Sequence, residues 1–393
     1  MKASVESVLQ ALRGELEPIA LERQVLDPVE ALGRVTSKSV YASQAHPPQS
    51  VSAMDGYAVA GHFERYQCMD GISAAGRPFS EQLKPQQALR ILTGAVIPEG
   101  ATAVIEQERV HVSERDLTCE IEIQPGRNIR QSGEDIGLGQ VVLAANTQIC
   151  PQHLPALLAS GVTEIEVFSR LRVGLLATGD ELAAPGQPLR AGQIINTNQS
   201  MVAALVRAQG HQVIEADPAQ DSPRVIREGL LDLAQRCDVV VTLGGVSVGD
   251  EDHVRDCLDQ VNHWRLALKP GSPMAVGQVV QTPVFALPGN PAAAWVCALL
   301  ILSPCLSLLS HRGWFEPQGF RLPAAFQRTS PAGRREYWRA RVREGQVEVF
   351  PKDGAARLAG LSFSEGLSML DENQTEVEPG QVVTYFPYSS WGL

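Results

Sequence analysis

Three short stretches hold the residues best suited to chemistry. Thr242–Asp252 reads TLGGVSVGDED, in which Gly244, Gly245 and Gly249 surround Ser247, and Asp250, Glu251 and Asp252 follow. A turn with so little side chain lets backbone N–H groups approach a phosphate, and Ser247 adds a hydroxyl donor. Carboxylates repel phosphate, so the acids need their own reason. Either they stabilise the first turn of a following helix, or they share a divalent cation with the phosphate, as Mg²⁺ commonly does. The second stretch, ATGDEL (177–182), contributes Asp180 and Glu181. In the third, ALPGNPAAA (286–294), Pro288 and Pro291 bracket Gly289 and Asn290. That arrangement presents backbone amides and Asn290 rigidly. A tight turn with a helix cap explains Asn290 and Pro291 as well, but not the paired prolines. Lys269, in LALKPG, offers a cation for an anionic substrate.

Known nucleotide motifs do not account for these stretches. G-x-x-x-x-G-K-[ST] occurs nowhere in the chain. The spacing G-G-x-x-x-G also departs from G-x-G-x-x-G, which disfavours a nicotinamide-dependent oxidoreductase. Glycine turns alone are weak evidence, so the elements that carry them decide.

From Thr163 the chain alternates strand and helix. The pattern predicts strands in LRVGLLATG (171–179), HQVIEA (211–216), DVVVTLGG (238–245) and VFALPG (284–289). Helices are predicted over 196–210, with Asn196 or Thr197 as N-cap and Gly210 as stop, and over 222–236, 252–261 and 291–309. Such βαβ units imply a mostly parallel sheet with helices on both faces. Ligands bind beyond the carboxyl ends of such strands. All three marked stretches leave strand ends, so they should share one rim.

Outside that unit, residues 1–45 read as helical and then extended, up to the break AHPPQS. From Val51 to about Gly139, short alternating strands divided by turns indicate an all-β insertion. QICPQHLPALLASGV (148–162) reads as a short helix ended by Gly161. Beyond the linker HRGWFEPQGF, strand-like alternation runs to the C-terminus.

At 393 residues the chain should hold two to four domains. Lys plus Arg is 33 against 44 for Asp plus Glu, a net charge of -11, which argues against sequence-independent nucleic-acid binding. No basic amphipathic segment suggests a membrane surface. Seven cysteines without a CxxC pair predict reduced thiols in a cytoplasm. MKASVESVLQALRGEL is interrupted by charges and reads as an amphipathic helix, not a secretory signal. Ala292–Leu309 is uncharged and imitates a membrane span, yet Pro304 and the absence of a second span favour a buried helix.

Taken in order, several motifs resemble the molybdopterin molybdenumtransferase family, which includes bacterial MoeA and the E-domain of gephyrin. They are SAMDGYAVAG (52–61), ILTGAVIPEGATAVIEQE (91–108), GRNIRQSGEDIGLGQ (126–140), LLATGDELAAPGQPL (175–189), INTN (195–198), TLGGVSVGDEDHV, LALKPGSPMAVG and ALPGNPAAA. The resemblance implies a multidomain α/β fold. Its parts would be a three-layer molybdopterin-binding α/β domain (168–311), an inserted β domain (46–139), a discontinuous helical and extended hinge domain (1–45 and 140–167) and a C-terminal β-barrel-like domain (312–393). It further implies a cytoplasmic homodimer with each active site formed between the α/β domain of one subunit and the inserted β domain of the other. Transient contact with the molybdopterin adenylyltransferase and with molybdoenzyme chaperones is implied as well.

The implied reaction is Mg²⁺-dependent insertion of molybdate into adenylylated molybdopterin with release of AMP. Carried over by position, Asp55, Asp135, Glu181, Asp221 and Asp252 match catalytic positions, with Asp252 as the metal ligand. Thr93, Pro288 and Pro291 match family positions as well, and with Gly244, Gly245, Ser247, Gly249, Gly289 and Asn290 from the loops read above they make up the expected substrate-binding set. Arg130, Arg265, Lys269 and Arg339 match basic positions near anionic substrate. On its own, Asp55 reads first as a turn aspartate before Gly56. The sequence departs from the family pattern at Ser272, Gln131, Ser132 and Ala355 or Ala356, where cations or donors for an oxyanion are expected. These departures keep open a non-catalytic molybdopterin-binding or scaffolding role.

Overall fold

The computed structural model describes residues 3–246, 253–352 and 354–393. The chain divides into two compact units, Met1–Arg23 with Phe168–Leu393, and Gln24–Val167.

The larger unit is built on a six-stranded sheet in the order Gln212–Glu215, Arg172–Ala177, Val239–Leu243, Thr282–Leu287, Ala275–Val279, Gln260–Trp264. The first four strands are parallel and the last two are antiparallel additions. Val239–Leu243 is buried throughout, as a β-branched run flanked on both faces should be. Its side chains alternate between two cores. Val239, Val241 and Leu243 join Val202 and Val206 of the helix Thr197–Ala208. Val240 joins Ile226, Leu230 and Leu233 of the helix Pro223–Arg236. The spacing of those helical residues is what gives each helix one apolar face. Asn196 caps the first of these helices, its side chain accepting from the Gln199 N–H at 3.3 Å.

The helix predicted over 252–261 does not form in its described part. Arg255–Cys257 is a short 3₁₀ turn, and Gln260–Trp264 is a strand paired antiparallel with Ala275–Val279. The apolar spacing of Val254, Cys257, Leu258 and Val261 imitates a helix. A tight turn buries Val254 and Cys257 equally well. The following residues then supply hydrogen bonds to a sheet edge that would otherwise lie open.

The apolar segment Pro291–Leu309 is a helix of this core and is mostly buried. It is α-helical over Pro291–Cys297 and Ser303–Leu309, with a π segment at Ala298–Leu302. Pro304 explains the widening, because it has no N–H to give and its ring crowds the preceding turn. With i→i−5 bonding the missing Pro304 N–H leaves the Leu299 carbonyl free, and Trp391 Nε1 donates to it at 2.8 Å, while Ala298 O keeps the Ser303 N–H and accepts from Ser303 Oγ as well, at 3.0 Å. The helix Val5–Glu15 also belongs here, since its stripe Val5, Val8 and Leu12 enters the same core. The resemblance groups residues 1–45 with 140–167. In the structure that apolar stripe draws the first turns to the α/β core.

The C-terminal strands Phe320–Pro323, Arg335–Arg343, Gln346–Val349, Gly366–Leu370 and Val382–Pro387 pair as a curled sheet. A bridge between Ala324 and Val347, with Ala325 N–H donating to Val347 O at 2.8 Å, closes the ring. The barrel-like expectation is met through that contact.

The smaller unit carries a six-stranded sheet in the order Ala103–Glu106, Gly56–Val59, Gln87–Ile91, Arg65–Ser73, Asp116–Cys119, Val110–Ser113. Two-stranded ladders flank it, Val51–Ser52 with Ile129–Arg130 and Val40–Tyr41 with Val141–Leu143. The short helix Leu154–Ala159 precedes Gly161 at φ 75°.

Candidate active site

Strand register aligns the three stretches. Ala177 lies opposite Leu243, and Leu243 opposite Leu287, at the carboxyl ends of neighbouring parallel strands. Thr178, Gly244 and Pro288 are the next residues of each. Thr178 N–H donates to Leu243 O at 3.1 Å, and Gly244 N–H to Leu287 O at 3.0 Å. The chain runs to opposite sides of the sheet after the strands Arg172–Ala177 and Val239–Leu243, so the rim sits at a topological switch point, where open α/β sheets bind ligands. A cavity of about 810 Å³ lies there. Its lining includes Thr178, Glu181, Asn198, Asp221, Gly244, Gly245, Pro273 and the turn Pro288, Gly289, Asn290 and Pro291.

The glycines are sterically required. Gly244 has φ 105°, and a Cβ there would lie 2.7 Å from Thr178 O. A Cβ on Gly245 would meet Thr178 Oγ1 at 2.9 Å and Val254 Cγ2 at 2.7 Å. The Gly244 N–H is spent on the sheet, so it is not a phosphate donor. The next described residues form a three-residue 3₁₀ turn, so the expected α-helix dipole is absent from residues 253–261. Ser247, Gly249, Asp250, Glu251 and Asp252 lie outside the described residues.

In the proline turn, Asn290 is the N-cap of Pro291–Cys297 but makes no side-chain cap bond, so its amide is not used up in capping. Asn198 Nδ2 donates to Gly289 O at 2.6 Å and holds the turn. A first-turn N–H of the helix, that of Ala292, donates to Ala355 O at 3.0 Å. Thr178 Oγ1 and Asn198 Oδ1 are buried at the cavity wall with no hydrogen-bond partner among the described residues. Such buried orphans are costly unless a ligand satisfies them. Neither residue stood out in the sequence beforehand. The strand register, which puts Thr178 first after Ala177, and the helix turn after Asn196 are the signals that find them.

The carboxylates Glu181 and Asp221 reach this cavity. Asp180 and Asp221 brace each other's loops, each backbone N–H donating to the other's carboxylate at 3.4 and 3.2 Å. Glu181 folds against Gly179, where a Cβ would lie 2.4 Å from Glu181 Oε2. The basic residues are placed differently, since Arg265, Lys269 and Arg339 do not line the cavity. Arg265 is exposed at φ 58°. Lys269 Nζ donates to Glu336 Oε2 at 3.2 Å. Arg339 donates to Arg357 O at 2.7 Å and Gly354 O at 3.1 Å, and lies over the Phe350 ring.

In the smaller unit, Asp55 and Thr93 meet. Asp55 Oδ1 accepts from the Thr93 N–H and from Thr93 Oγ1, both at 2.7 Å. These two bonds, the backbone one first, hold the Asp55 carboxyl below its usual range. Arg130 Nε donates to Glu134 Oε1 at 2.6 Å, and Asp135 is exposed.

Known proteins match the chain over nearly its full length. The family model described as "MoeA N-terminal region (domain I and II)" matches residues 3–161. "Probable molybdopterin binding domain" matches residues 174–307, and "MoeA C-terminal region (domain IV)" matches 321–388. A molybdopterin molybdenumtransferase of Haemophilus influenzae is 34% identical over 385 residues, 95% of each chain. Molybdopterin molybdenumtransferase 2 of Mycobacterium tuberculosis is 33% identical over 371 residues, 89% of this chain and 91% of its own. The chain belongs to the molybdopterin molybdenumtransferase family. The crystal structure of the molybdopterin biosynthesis moeA protein of Pyrococcus horikoshii superposes with a TM-score of 0.85 at 25% identity, covering 99% of this chain and 100% of that one.

Family membership directs attention to a metal. Among the described residues no three His, Cys, Asp or Glu side chains converge to hold an ion. Glu181 and Asp221 line the cavity, and carboxylate oxygens are the kind of donor a hard cation takes. The departures from the family pattern have local hydrogen bonds of their own. Gln131 Oε1 accepts from Ser50 Oγ at 3.2 Å, and Ser132 Oγ donates to Pro48 O at 3.1 Å.

Proposed function

We propose that the chain is a working transferase of molybdenum cofactor biosynthesis. It would take adenylylated molybdopterin and molybdate and release AMP and molybdenum cofactor. The convergence of three strand-end loops on one cavity carries this reading. The cavity offers close backbone approach at the glycine turn, carboxylates at Glu181 and Asp221, and buried polar atoms awaiting a partner. Thr178 and Asn198 orient the bound molecule, while Asn290 and the proline turn fix its other side. Glu181 or Asp221 takes the proton of the water that cleaves the phosphoanhydride. Asp252, with the cavity carboxylate that is not the base, would hold Mg²⁺, which would supply charge neutralisation at the phosphates.

The same proposal includes a cytoplasmic homodimer in which Asp55, Thr93, Arg130 and Asp135 of one subunit complete the partner's site. Support comes from an apolar exposed face in the smaller unit. Tyr41 and Val141 are register partners at 57% and 47% exposure, and Leu138 is 72% exposed. Contacts with the adenylyltransferase that supplies the substrate and with cofactor-accepting chaperones belong to this reading.

The test is incubation with adenylylated molybdopterin, Mg²⁺ and micromolar molybdate, with AMP measured. AMP should appear, disappear on Mg²⁺ chelation, and fall about 100-fold or more in Asp252→Asn. AMP release unaffected by that substitution would remove Asp252 from the metal site. Tight molybdopterin binding with no AMP from wild-type protein would instead support the scaffolding role.

A further inference from the structure

Leu268–Lys269 leaves the α/β core and runs as an outer strand of the C-terminal sheet, parallel to Arg335–Arg343, with Lys269 opposite Glu336. A few residues later Pro273 lines the cavity. The lysine therefore sits on a cavity loop while a carboxylate of the C-terminal sheet holds its side chain.

That carboxylate is unusual. Glu336 is 1% exposed, and its two oxygens receive four donors. Oε1 accepts from Ser330 Oγ and from Arg334 Nε at 3.1 Å, and Oε2 accepts from Trp338 Nε1 and Lys269 Nζ, each at 3.2 Å. A carboxylate has about four acceptor positions, so this one is filled. Three of the donors lie within residues 330–338, and Lys269 is the one that comes from the α/β part of the chain. Burial alone would raise the Glu336 pKa, but the Ser330 and Lys269 hydrogen bonds and the Lys269 and Arg334 charges hold it below its usual range. The Lys269 side chain stays 46% exposed, and an ammonium has three donors. One points at Glu336, which fixes where the others can point.

We propose that Glu336 is a positioning residue for molybdate: it aims the Lys269 ammonium, so the C-terminal sheet sets part of the oxyanion affinity. This rests on reading Lys269 as an oxyanion contact. Two effects oppose each other when the carboxylate is altered. Losing a negative charge beside a cation favours anion binding, whereas releasing a flexible lysine opposes it. The sign of the change therefore tells position from charge.

The experiment measures kcat and KM for molybdate at saturating adenylylated molybdopterin and Mg²⁺. The variants are Lys269→Ala, Glu336→Gln, Glu336→Asp and the double variants with Lys269→Ala. Both Glu336 variants should raise the molybdate KM about tenfold with kcat within about twofold. Added to Lys269→Ala, they should change KM no further, a coupling that general destabilisation would not produce. Glu336→Asp keeps the charge and shortens the reach, so it carries the test if Glu336→Gln fails to fold in a thermal melt. An unchanged or lowered KM in the Glu336 variants, with a raised KM in Lys269→Ala, overturns the proposal alone. An unchanged KM in Lys269→Ala overturns the oxyanion reading of Lys269, and the proposal with it.

Discussion

Glu181 and Asp221 at the cavity and Glu336 in the C-terminal sheet are carboxylates in opposite settings. The first two stand on loops that follow strand ends and face an open cavity, where the Asp221 carboxylate accepts from the Asp180 N–H at 3.4 Å. Glu336 is buried, flanked by Lys269 and Arg334 and fully hydrogen-bonded. A charge that has been paired and dried contributes to one fixed arrangement. A charge left facing an open cavity keeps its capacity to bind a cation or accept a proton. The same side-chain chemistry is thus committed to structure in one region and left facing a cavity in the other, and the surroundings make the difference.

Substitutions should separate the two. The largest expected effect is on activity: Asp221→Asn should lower AMP release about 100-fold while urea unfolding shifts by less than about 0.5 kcal/mol. A matching loss of stability would mean that Asp221 is structural. Next, Glu336→Ala should cost about 2–4 kcal/mol in urea unfolding, because it strands buried donors and adjacent cations.

Acid should act on the same contrast. With its folded pKa lowered, Glu336 contributes stability that is present above the ordinary glutamate value near 4.3 and lost as pH falls through the folded pKa. The wild-type advantage over Glu336→Ala should therefore shrink below about pH 4. A constant difference down to strongly acid pH would show that the carboxylate's charge does not matter. The smallest effect concerns a third carboxylate, that of Asp55. Thr93→Val removes the hydroxyl donor and keeps the stronger backbone one, so carboxyl NMR should show the Asp55 pKa rising part of the way towards its usual value. No movement would place the whole shift on the backbone bond.

Much of the rim was legible in the residues themselves. Short buried β-branched runs ending in Gly- or Pro-rich turns announce parallel strands with open carboxyl ends, and that expectation survives in the register of Ala177, Leu243 and Leu287. The helix expected over 252–261 failed because four apolar residues at helical spacing suit a 3₁₀ turn and an edge strand just as well. Local pattern cannot tell these apart; an unpaired neighbouring strand can.

The sequence alone determined most of the alternation of strands and helices, the glycine- and proline-rich turns at the strand ends, and the family. Those follow from local sterics and from apolar periodicity, which act over a few residues. Tertiary structure decided which polar groups meet: Lys269 with Glu336, Trp391 with the Leu299 carbonyl in the π segment, Ala355 with the helix beginning at Pro291, and Thr178 beneath the glycine turn. Each of these pairs joins residues far apart in the chain. Hydrogen bonds are short and directional, so only the folded backbone can bring such partners within reach.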